Sequence, residues 1–393
     1  TNIGTSQILE EDDVDDMINA ILEDSEFEPE KTVGVLVRTN AAVTEIASKF
    51  YNQLSQSGNF VPIHIQRRKE AAYLAGWIGL FFQNYDGTYI DQDTFIDEFD
   101  ALFTDDKRQK LNLKYPSIYY WNALDLCMAN DESYGQDRFE VERLLRNVSL
   151  NAWSFRENCG VLLSGILQDS PIVISNVHQA KGREYDKVML STKLLSFRKR
   201  DDTATNEDCR VAYVALSRSR GNVGVFRTEN HKYRSTSQNR HYLMGITKGH
   251  IQKVEFGLYR DLDSEAFANE EMQDYIQNDL PVGEMLQLNQ SFRGNDSSSI
   301  KNLCYELSMD GGELGVPDIL GRTSSSFIYD LGAVTSKNSS DNTCFPKSID
   351  DLYVNDLITF IEQDKGQDAG LSRFGDIVIW NGLSVMGMGD CHY

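Results

Sequence analysis

The sequence predicts an α/β fold with a parallel sheet, a helical insertion and a β-rich C-terminal domain. In the first part, an apolar run at 33–37 precedes a helical pattern that begins near Asn40, and a second apolar run follows at 60–65. A strand–helix–strand unit of this kind is the building block of a parallel sheet covered by helices. Three later apolar runs extend the same sheet, at 171–177, 187–192 and 223–227.

The rest of the chain divides by its periodicity. Residues 9–24 predict an acidic helix, and residues 67–170 predict a helical insertion, because apolar residues there recur three and four positions apart. Beyond residue 251, short alternating runs separated by Gly, Asn, Asp and Ser favour a small β-barrel or β-sandwich. The predicted domain that carries the parallel sheet has two parts, 1–66 and 171–234, separated by the helical insertion at 67–170. A linker at 235–279 and a β-rich C-terminal domain at 280–393 follow.

Composition indicates an ordinary globular protein. The 393 residues are 40% hydrophobic and 25% charged, which suits two or three domains. No apolar run approaches the roughly 20 residues that a membrane span needs, and the first residues lack a signal-peptide pattern, so we expect neither a membrane span nor a signal peptide. The six cysteines stand singly, without a C-x-x-C pair, so we expect neither a zinc site nor a disulfide framework, and a cytoplasmic protein. The sequence gives no candidate metal ligands.

The net charge of -22 argues against nucleic-acid binding through the overall field of the protein. Basic clusters remain at 67–69, 107–108 and 198–200. Each could contribute to a local positive groove, or each could be a solvated surface.

Two segments carry residues that packing alone does not explain. Val177–Asp186 reads V-H-Q-A-K-G-R-E-Y-D and leaves a buried strand as a polar loop, which we expect at the carboxyl edge of the sheet, where ligands bind in open α/β folds. Val211–Arg220 reads V-A-Y-V-A-L-S-R-S-R and places two arginines near the end of an amphipathic helix.

Together these segments resemble two adjacent motifs of the UvrD/Rep/PcrA class of superfamily 1 DNA helicases, which carry patterns like T-x-H-x-A-K-G-L-E-F-D and A-Y-V-A-x-T-R-A. The chain departs from them at Arg183, Tyr185 and Ser217. Residues 30–66 also resemble the strand–helix–strand unit that precedes the family's insertion. The resemblance implies a RecA-like motor domain of an ATP-dependent DNA helicase, working 3′ to 5′ on single-stranded DNA or a single-strand/duplex junction.

One element of such a motor is missing. A phosphate-binding loop ends in Gly-Lys-Ser/Thr, and the sequence contains no Gly-Lys dipeptide. The acidic run at 97–100 has helical spacing and indicates a solvated helix face rather than a metal-binding acid. We therefore expect the C-terminal half of a helicase, inactive alone. ATP and Mg²⁺ would be held mainly by an N-terminal motor half, in the same polypeptide or another.

The resemblance assigns the nucleotide-contacting roles. Arg218 is expected to stabilise the charge that develops on the γ-phosphate, since a guanidinium is always charged and can bond two oxygens. Glu184 is expected to face the ribose hydroxyls, although a carboxylate there could instead hold the loop through backbone amides. Gly182 would let the loop turn or approach a phosphate closely.

Four residues are expected to contact nucleic acid: Arg38, Thr39, His178 and Lys181. The first two precede a helix N-terminus, which can hold a DNA phosphate, but a simple N-cap at Asn40 explains the same residues.

A different class of function stays open. The chain could be an inactive helicase-like scaffold, or a partner-binding module in a repair or defence assembly, with its C-terminal domain recognising a protein. The acidic charge and the long tail favour this alternative, whereas the Lys181-Gly182 pair, Glu184 and Arg218 favour the motor.

Overall fold

The computed structural model describes fourteen segments of the chain: residues 8–23, 31–57, 61–66, 73–155, 160–164, 170–195, 202–229, 231–247, 250–258, 260–294, 300–309, 317–335, 345–363 and 371–393. Within these segments the chain forms a parallel sheet and a larger antiparallel sheet, with helices packed on both.

The strands in the described segments are β1 (Ile8–Glu11), β2 (Val33–Val37), β3 (Ile63–Gln66), β4 (Leu74–Ala75), β5 (Tyr89–Asp91), β6 (Arg138–Glu140), β7 (Ile172–Asn176), β8 (Tyr185–Ser191), β9 (Ser219–Phe226), β10 (Arg234–Ser235), β11 (His241–Met244), β12 (Ile251–Phe256), β13 (Met285–Phe292), β14 (Leu303–Met309), β15 (Gly321–Arg322), β16 (Ser348–Gln363), β17 (Ser372–Phe374) and β18 (Ile377–His392).

The helices there are α1 (Val14–Leu22), α2 (Asn40–Ser57), α3 (Gly76–Gln83), α4 (Gln92–Leu102), α5 (Asp105–Lys110), α6 (Ser117–Cys127), α7 (Val141–Asn151), α8 (Thr192–Leu195), α9 (Asp202–Leu216), α10 (Glu270–Asp279) and α11 (Ser325–Thr335). None of the helices in this part of the chain combines the length and apolar character that crossing a bilayer requires.

The predicted parallel sheet is confirmed as a RecA-like α/β unit. Its strand order is β1-β9-β8-β2-β7-β3, and every neighbouring pair is parallel. Helices α1 and α2 cover one face, where Val35 and Phe50 are fully buried. Helix α9 and the loop after β7 cover the other face, where Leu36 and Leu190 are fully buried. Both faces are therefore apolar, as a parallel sheet requires.

The first helix is shorter than the sequence suggested. Asp13 caps α1, because its side chain accepts hydrogen bonds from the backbone amides of Asp15 and Asp16 at 2.8 and 3.0 Å. Residues 9–11, predicted as helix, instead belong to β1, which pairs with β9 at the edge of the parallel sheet. Tertiary pairing thus overrides the local helical pattern before the cap.

The C-terminal part is a large antiparallel sheet, which confirms its predicted β-rich character. Eight strands follow the order β10-β11-β12-β18-β16-β13-β14-β15, with β17 paired to β18 and β4 to β16. Its centre is the pair β16 and β18, each 16 residues long. Residues 235–279, expected to be a linker, contain β11, β12 and α10, and β12 pairs directly with β18.

The insertion helices share one apolar core with the antiparallel sheet. The Asn381 amide donates to the carbonyl of Gly76 at 2.8 Å, and the Gly79 amide donates to the Thr359 hydroxyl at 2.9 Å. These bonds fix α3 on β16 and β18. The insertion also contains the short strands β4, β5 and β6 beside its helices.

Helix α2 connects the two sheets. The ring of Tyr51 stacks on that of Tyr353 with centroids 3.9 Å apart, and the Met388 amide donates to the Ser48 hydroxyl at 3.0 Å. The helix that begins at the carboxyl edge of the parallel sheet is therefore packed along its length on the C-terminal sheet.

Candidate nucleotide and nucleic-acid sites

The candidate residues lie at two opposite edges of the parallel sheet. Strands β2 and β7 end at the carboxyl edge, so Arg38, Thr39 and His178 follow there. Strands β8 and β9 begin at the amino edge, directly after Glu184 and Arg218. The loop 177–184 runs from one edge to the other. The expectation that this whole loop lies at the carboxyl edge is wrong, because it must return across the sheet before the parallel strand β8 can begin.

At the amino edge, the backbone joins the two motifs. The Tyr185 amide donates to the carbonyl of Arg218 at 2.8 Å, as part of the pairing between β8 and β9. The half-buried guanidinium of Arg218 folds back: Nε donates to the carbonyl of Val214 at 3.1 Å and Nη1 to that of Arg183 at 3.2 Å. Nη2 donates to the Ser217 hydroxyl at 3.1 Å. These contacts use three of the five N–H groups that a guanidinium offers.

Glu184 forms an ion pair with Arg220. The distance from Arg220 Nε to Glu184 Oε2 is 3.1 Å, and the two side chains are 60% and 56% exposed. No role was predicted for Arg220, whose position as the second arginine of the same segment was the available signal. The pair leaves both groups accessible to a ligand.

Gly182 and Lys181 form a turn beside these residues. The Arg183 amide donates to the carbonyl of Ala180 at 3.2 Å, and Gly182 has a φ of +83°, which residues with a side chain rarely adopt. A Cβ built at Gly182 would meet no atom within 4 Å. Glycine is thus required by the backbone angle, not by crowding. Lys181 is exposed in this turn, three residues beyond His178.

The start of β8 is anchored to the start of β2. The Asp186 carboxylate accepts from the amide and hydroxyl of Thr32 at 2.9 and 3.1 Å. The hydrogen bond from the Thr32 amide is the main reason that the pKa of Asp186 is lowered from its ordinary value. The buried ring of Tyr185 lies 2.5 Å from where a Cβ on Gly34 would stand. A side chain at Gly34 would therefore displace the residue that follows Glu184.

At the carboxyl edge, Thr39 caps helix α2. Its hydroxyl accepts from the Ala42 amide at 3.3 Å, so the cap lies one residue before the predicted Asn40. The Asn40 side chain instead accepts a hydrogen bond from the Asn176 amide. An N-cap explains Thr39 structurally, and the hydrogen bond between Asn176 and Asn40 holds the half-buried start of α2 next to the end of β7.

Side-chain amides that the sequence analysis missed shape this edge. The Gln179 backbone amide donates to Asn176 Oδ1 at 3.0 Å, and Gln66 Nε2 donates to the Gln179 carbonyl at 3.0 Å. These bonds hold the first turn of the loop against β3 and β7, with His178 exposed between them. The sequence signal for these contacts was Asn176, a polar residue at the end of the mostly apolar strand β7.

Arg38 is exposed over 40% of its side chain and forms an ion pair with Asp208 of α9, at 2.7 Å from Nη2 to Oδ1. The carboxylate of Asp208 therefore lies where a phosphate would compete for the same guanidinium.

The basic clusters add little to either edge. Residues 67–69 and 198–200 lie outside the described segments. Arg108 bonds the Asp100 carboxylate and the Phe103 carbonyl and lies over the ring of Phe99. Its role is structural. Asp97 and Glu98 lie on helix α4, as the helical spacing of that acidic run indicated.

Comparison with known families supports the motif assignment. Residues 129–226 match the model of the UvrD-like helicase C-terminal domain. This range contains both motif segments and runs from within the insertion, just after α6, to the last residue of β9. No curated protein shows a significant match to the chain. Residues 129–226, which include the two motif segments joined at one edge of the RecA-like sheet, therefore form a UvrD-like superfamily 1 helicase C-terminal region.

Proposed function

We propose that the chain is the second motor domain, with its accessory domains, of an ATP-dependent DNA helicase. Nucleotide would bind at the amino edge, through Gly182, Glu184 and Arg218, and single-stranded DNA at the carboxyl edge, through Arg38, Thr39 and His178. The observation that carries the proposal is the single loop 177–184, which places His178 at one edge and Glu184 at the other.

Arg218 would act on the γ-phosphate. Its guanidinium is half-buried at the end of α9 and is held by two carbonyls and a hydroxyl, all neutral acceptors. A phosphate carries more negative charge than these acceptors, so nucleotide binding can draw the guanidinium out of its folded-back position. The charge that develops on the γ-phosphate during transfer is then stabilised by a group that keeps its proton at any physiological pH.

Glu184 would accept hydrogen bonds from the ribose hydroxyls, with Arg220 orienting the carboxylate. This carboxylate faces a cation and does not fit a Mg²⁺ ligand. Mg²⁺ and the phosphate-binding loop would come from a first motor domain, since these 393 residues contain no Gly-Lys dipeptide.

Coupling between the edges would pass through the loop 177–184. A change at Glu184 moves the start of β8, and the same loop is fixed at its other end by Asn176 and Gln179 beside His178. The 3′-to-5′ polarity is carried over from the family resemblance alone. Lys181 lies in the turn at Gly182, next to the amino-edge residues, so its expected contact with DNA stays a prediction outside this division of the two edges.

The test is DNA-stimulated ATP hydrolysis by the protein that contains this chain together with its phosphate-binding half. Arg218→Ala should lower turnover on the order of 10³-fold while ATP binding is retained. Arg146→Ala, at an exposed arginine on α7 that pairs with Glu142, is the matched control and should leave turnover unchanged. Hydrolysis that survives Arg218→Ala would remove this arginine from the site.

The alternative proposal is an inactive scaffold, and the charge of -22 is the observation that favours it. A scaffold predicts no DNA-stimulated hydrolysis in the wild-type protein and a partner bound by the C-terminal sheet. Absence of hydrolysis in wild type would therefore favour the scaffold over the motor.

A further inference from the structure

A cluster of two carboxylates and one imidazole lies where the chain leaves the parallel sheet. His231 follows β9 by five residues, and its Nδ1 is 2.8 Å from Oε1 of Glu45 on α2. Its Nε2 is 2.8 Å from Oε2 of Glu229. One donor atom from each of the three residues can be chosen so that all lie within 4.8 Å of one another. Glu45 and His231 are 17% and 22% exposed, so water screens the cluster only partly.

Each ring nitrogen of His231 lies against a carboxylate oxygen. A neutral imidazole carries one N–H, so with carboxylates at both nitrogens one nitrogen would present a lone pair to a negative oxygen. The Tyr233 hydroxyl lies 3.5 Å from Nδ1.

The neighbouring cations are already engaged. The Lys193 ammonium donates to the backbone carbonyl of Glu229. Lys253 forms an ion pair with Asp390 at 2.9 Å. With a neutral imidazole, Glu45 and Glu229 together therefore carry more negative charge than Lys193 offsets.

We propose that Glu45, Glu229 and His231 bind a divalent transition-metal ion of the Zn²⁺ class. One imidazole nitrogen and two carboxylate oxygens form the mixed N/O donor set that Zn²⁺ accepts, with bonds of about 2.0–2.2 Å. Donors in such a tetrahedron stand roughly 3.4 Å apart. The ion would bind one imidazole nitrogen, and the carboxylate at the other nitrogen would have to move toward it to close the difference from 4.8 Å. Water or the Tyr233 hydroxyl completes the coordination.

The ion would be structural. It ties α2, whose first turn carries the capping Thr39, to the segment that joins β9 to β10. The parallel sheet and the antiparallel sheet would thus be held together at a further place, besides the Tyr51–Tyr353 stack and the Ser48–Met388 hydrogen bond. This site does not depend on nucleotide or DNA binding.

The test uses the tag-free chain at pH 7.5, after chelator treatment, titrated with Co²⁺ as a visible-absorption probe and then with Zn²⁺ as competitor. We expect one tightly bound ion, displaced by Zn²⁺, and a rise in thermal unfolding temperature with either metal. Glu45→Gln and His231→Gln should each weaken binding at least about tenfold. His178→Gln, an exposed histidine outside the cluster, is the matched control and should bind as wild type does.

Several results would overturn the proposal. One is the absence of a saturable Co²⁺ spectrum in the folded wild-type chain, and another is an unchanged spectrum in His231→Gln. A third is a wild-type unfolding temperature that rises on acidification and does not change when metal is added. That result would show that a proton, and not a metal ion, neutralises the cluster. Circular dichroism of each variant separates lost binding from lost folding, and Glu229→Gln, at a carboxylate 64% exposed, provides a variant with little folding risk.

Discussion

Tyr185→Phe should stabilise the protein, because the Tyr185 hydroxyl is buried without a hydrogen-bond partner. The residue is 2% exposed and its Oη atom has no partner among the described residues. Burial also raises the pKa of this phenol. An unpaired hydroxyl buried away from water costs about 1–3 kcal/mol. Phenylalanine keeps the ring contact with Gly34 and removes only that cost, so we expect a gain of about 1 kcal/mol.

Tyr305→Phe is the matched control with the opposite sign. Tyr305 is equally buried, and its hydroxyl donates to the carbonyl of Pro346 at 2.6 Å. The same chemical change there removes a hydrogen bond and leaves a buried carbonyl, which should cost about 1–3 kcal/mol.

Urea unfolding followed by circular dichroism compares the two variants with wild type. The reasoning predicts a higher midpoint for Tyr185→Phe and a lower one for Tyr305→Phe, with unchanged slopes. A loss of 1 kcal/mol or more in Tyr185→Phe would refute it, since that result requires a partner for the hydroxyl.

Three further predictions rest on single contacts. Asp208→Asn should raise the affinity for single-stranded DNA, because it frees Arg38 from its ion pair and removes a competing carboxylate. Fluorescence anisotropy measures this affinity, and an unchanged value would show that Arg38 does not contact DNA. Burial raises the pKa of Asp356 from 3.8 to about 6, so the folded state favours the protonated acid. As the pH rises from 4 to 7, the free energy of unfolding of wild type should therefore fall by up to about 3 kcal/mol relative to that of Asp356→Asn. Parallel urea curves at both pH values would contradict this. Arg240→Met should cost about 3–5 kcal/mol in urea unfolding, because it leaves the buried carboxylates of Asp261 and Asp330 without their cation, and a loss below 1 kcal/mol would contradict it.

Local patterns in the sequence predict the parallel sheet well. Runs such as 33–37 and 171–174 are apolar at every position because both faces of this sheet are covered, and that signal needs no knowledge of distant contacts. The helical spacing in the insertion is equally local. By contrast, the pairing of Ile8–Glu11 with β9 joins residues more than 200 positions apart, and no local sequence pattern in the N-terminal segment predicts it.

The site residues were identified by motif, whereas their placement required the topology. Gly182, Glu184 and Arg218 were named from the sequence, but the return of the loop to the amino edge follows only from β8 pairing in parallel with β2 and β9. The His231 cluster was missed for a similar reason. Glu45 lies 186 residues away from His231 in the chain, so no spacing rule relates them.

The separation of the two edges is the central claim, and the most direct test compares single-stranded DNA binding by Arg38→Ala and Arg218→Ala across a salt series. The account predicts that Arg38→Ala binds more weakly, with the slope of log affinity against log salt reduced by about 0.7 for the lost phosphate contact, and that Arg218→Ala binds as wild type does. Equal losses in both variants would contradict it, because DNA would then contact the amino edge as well.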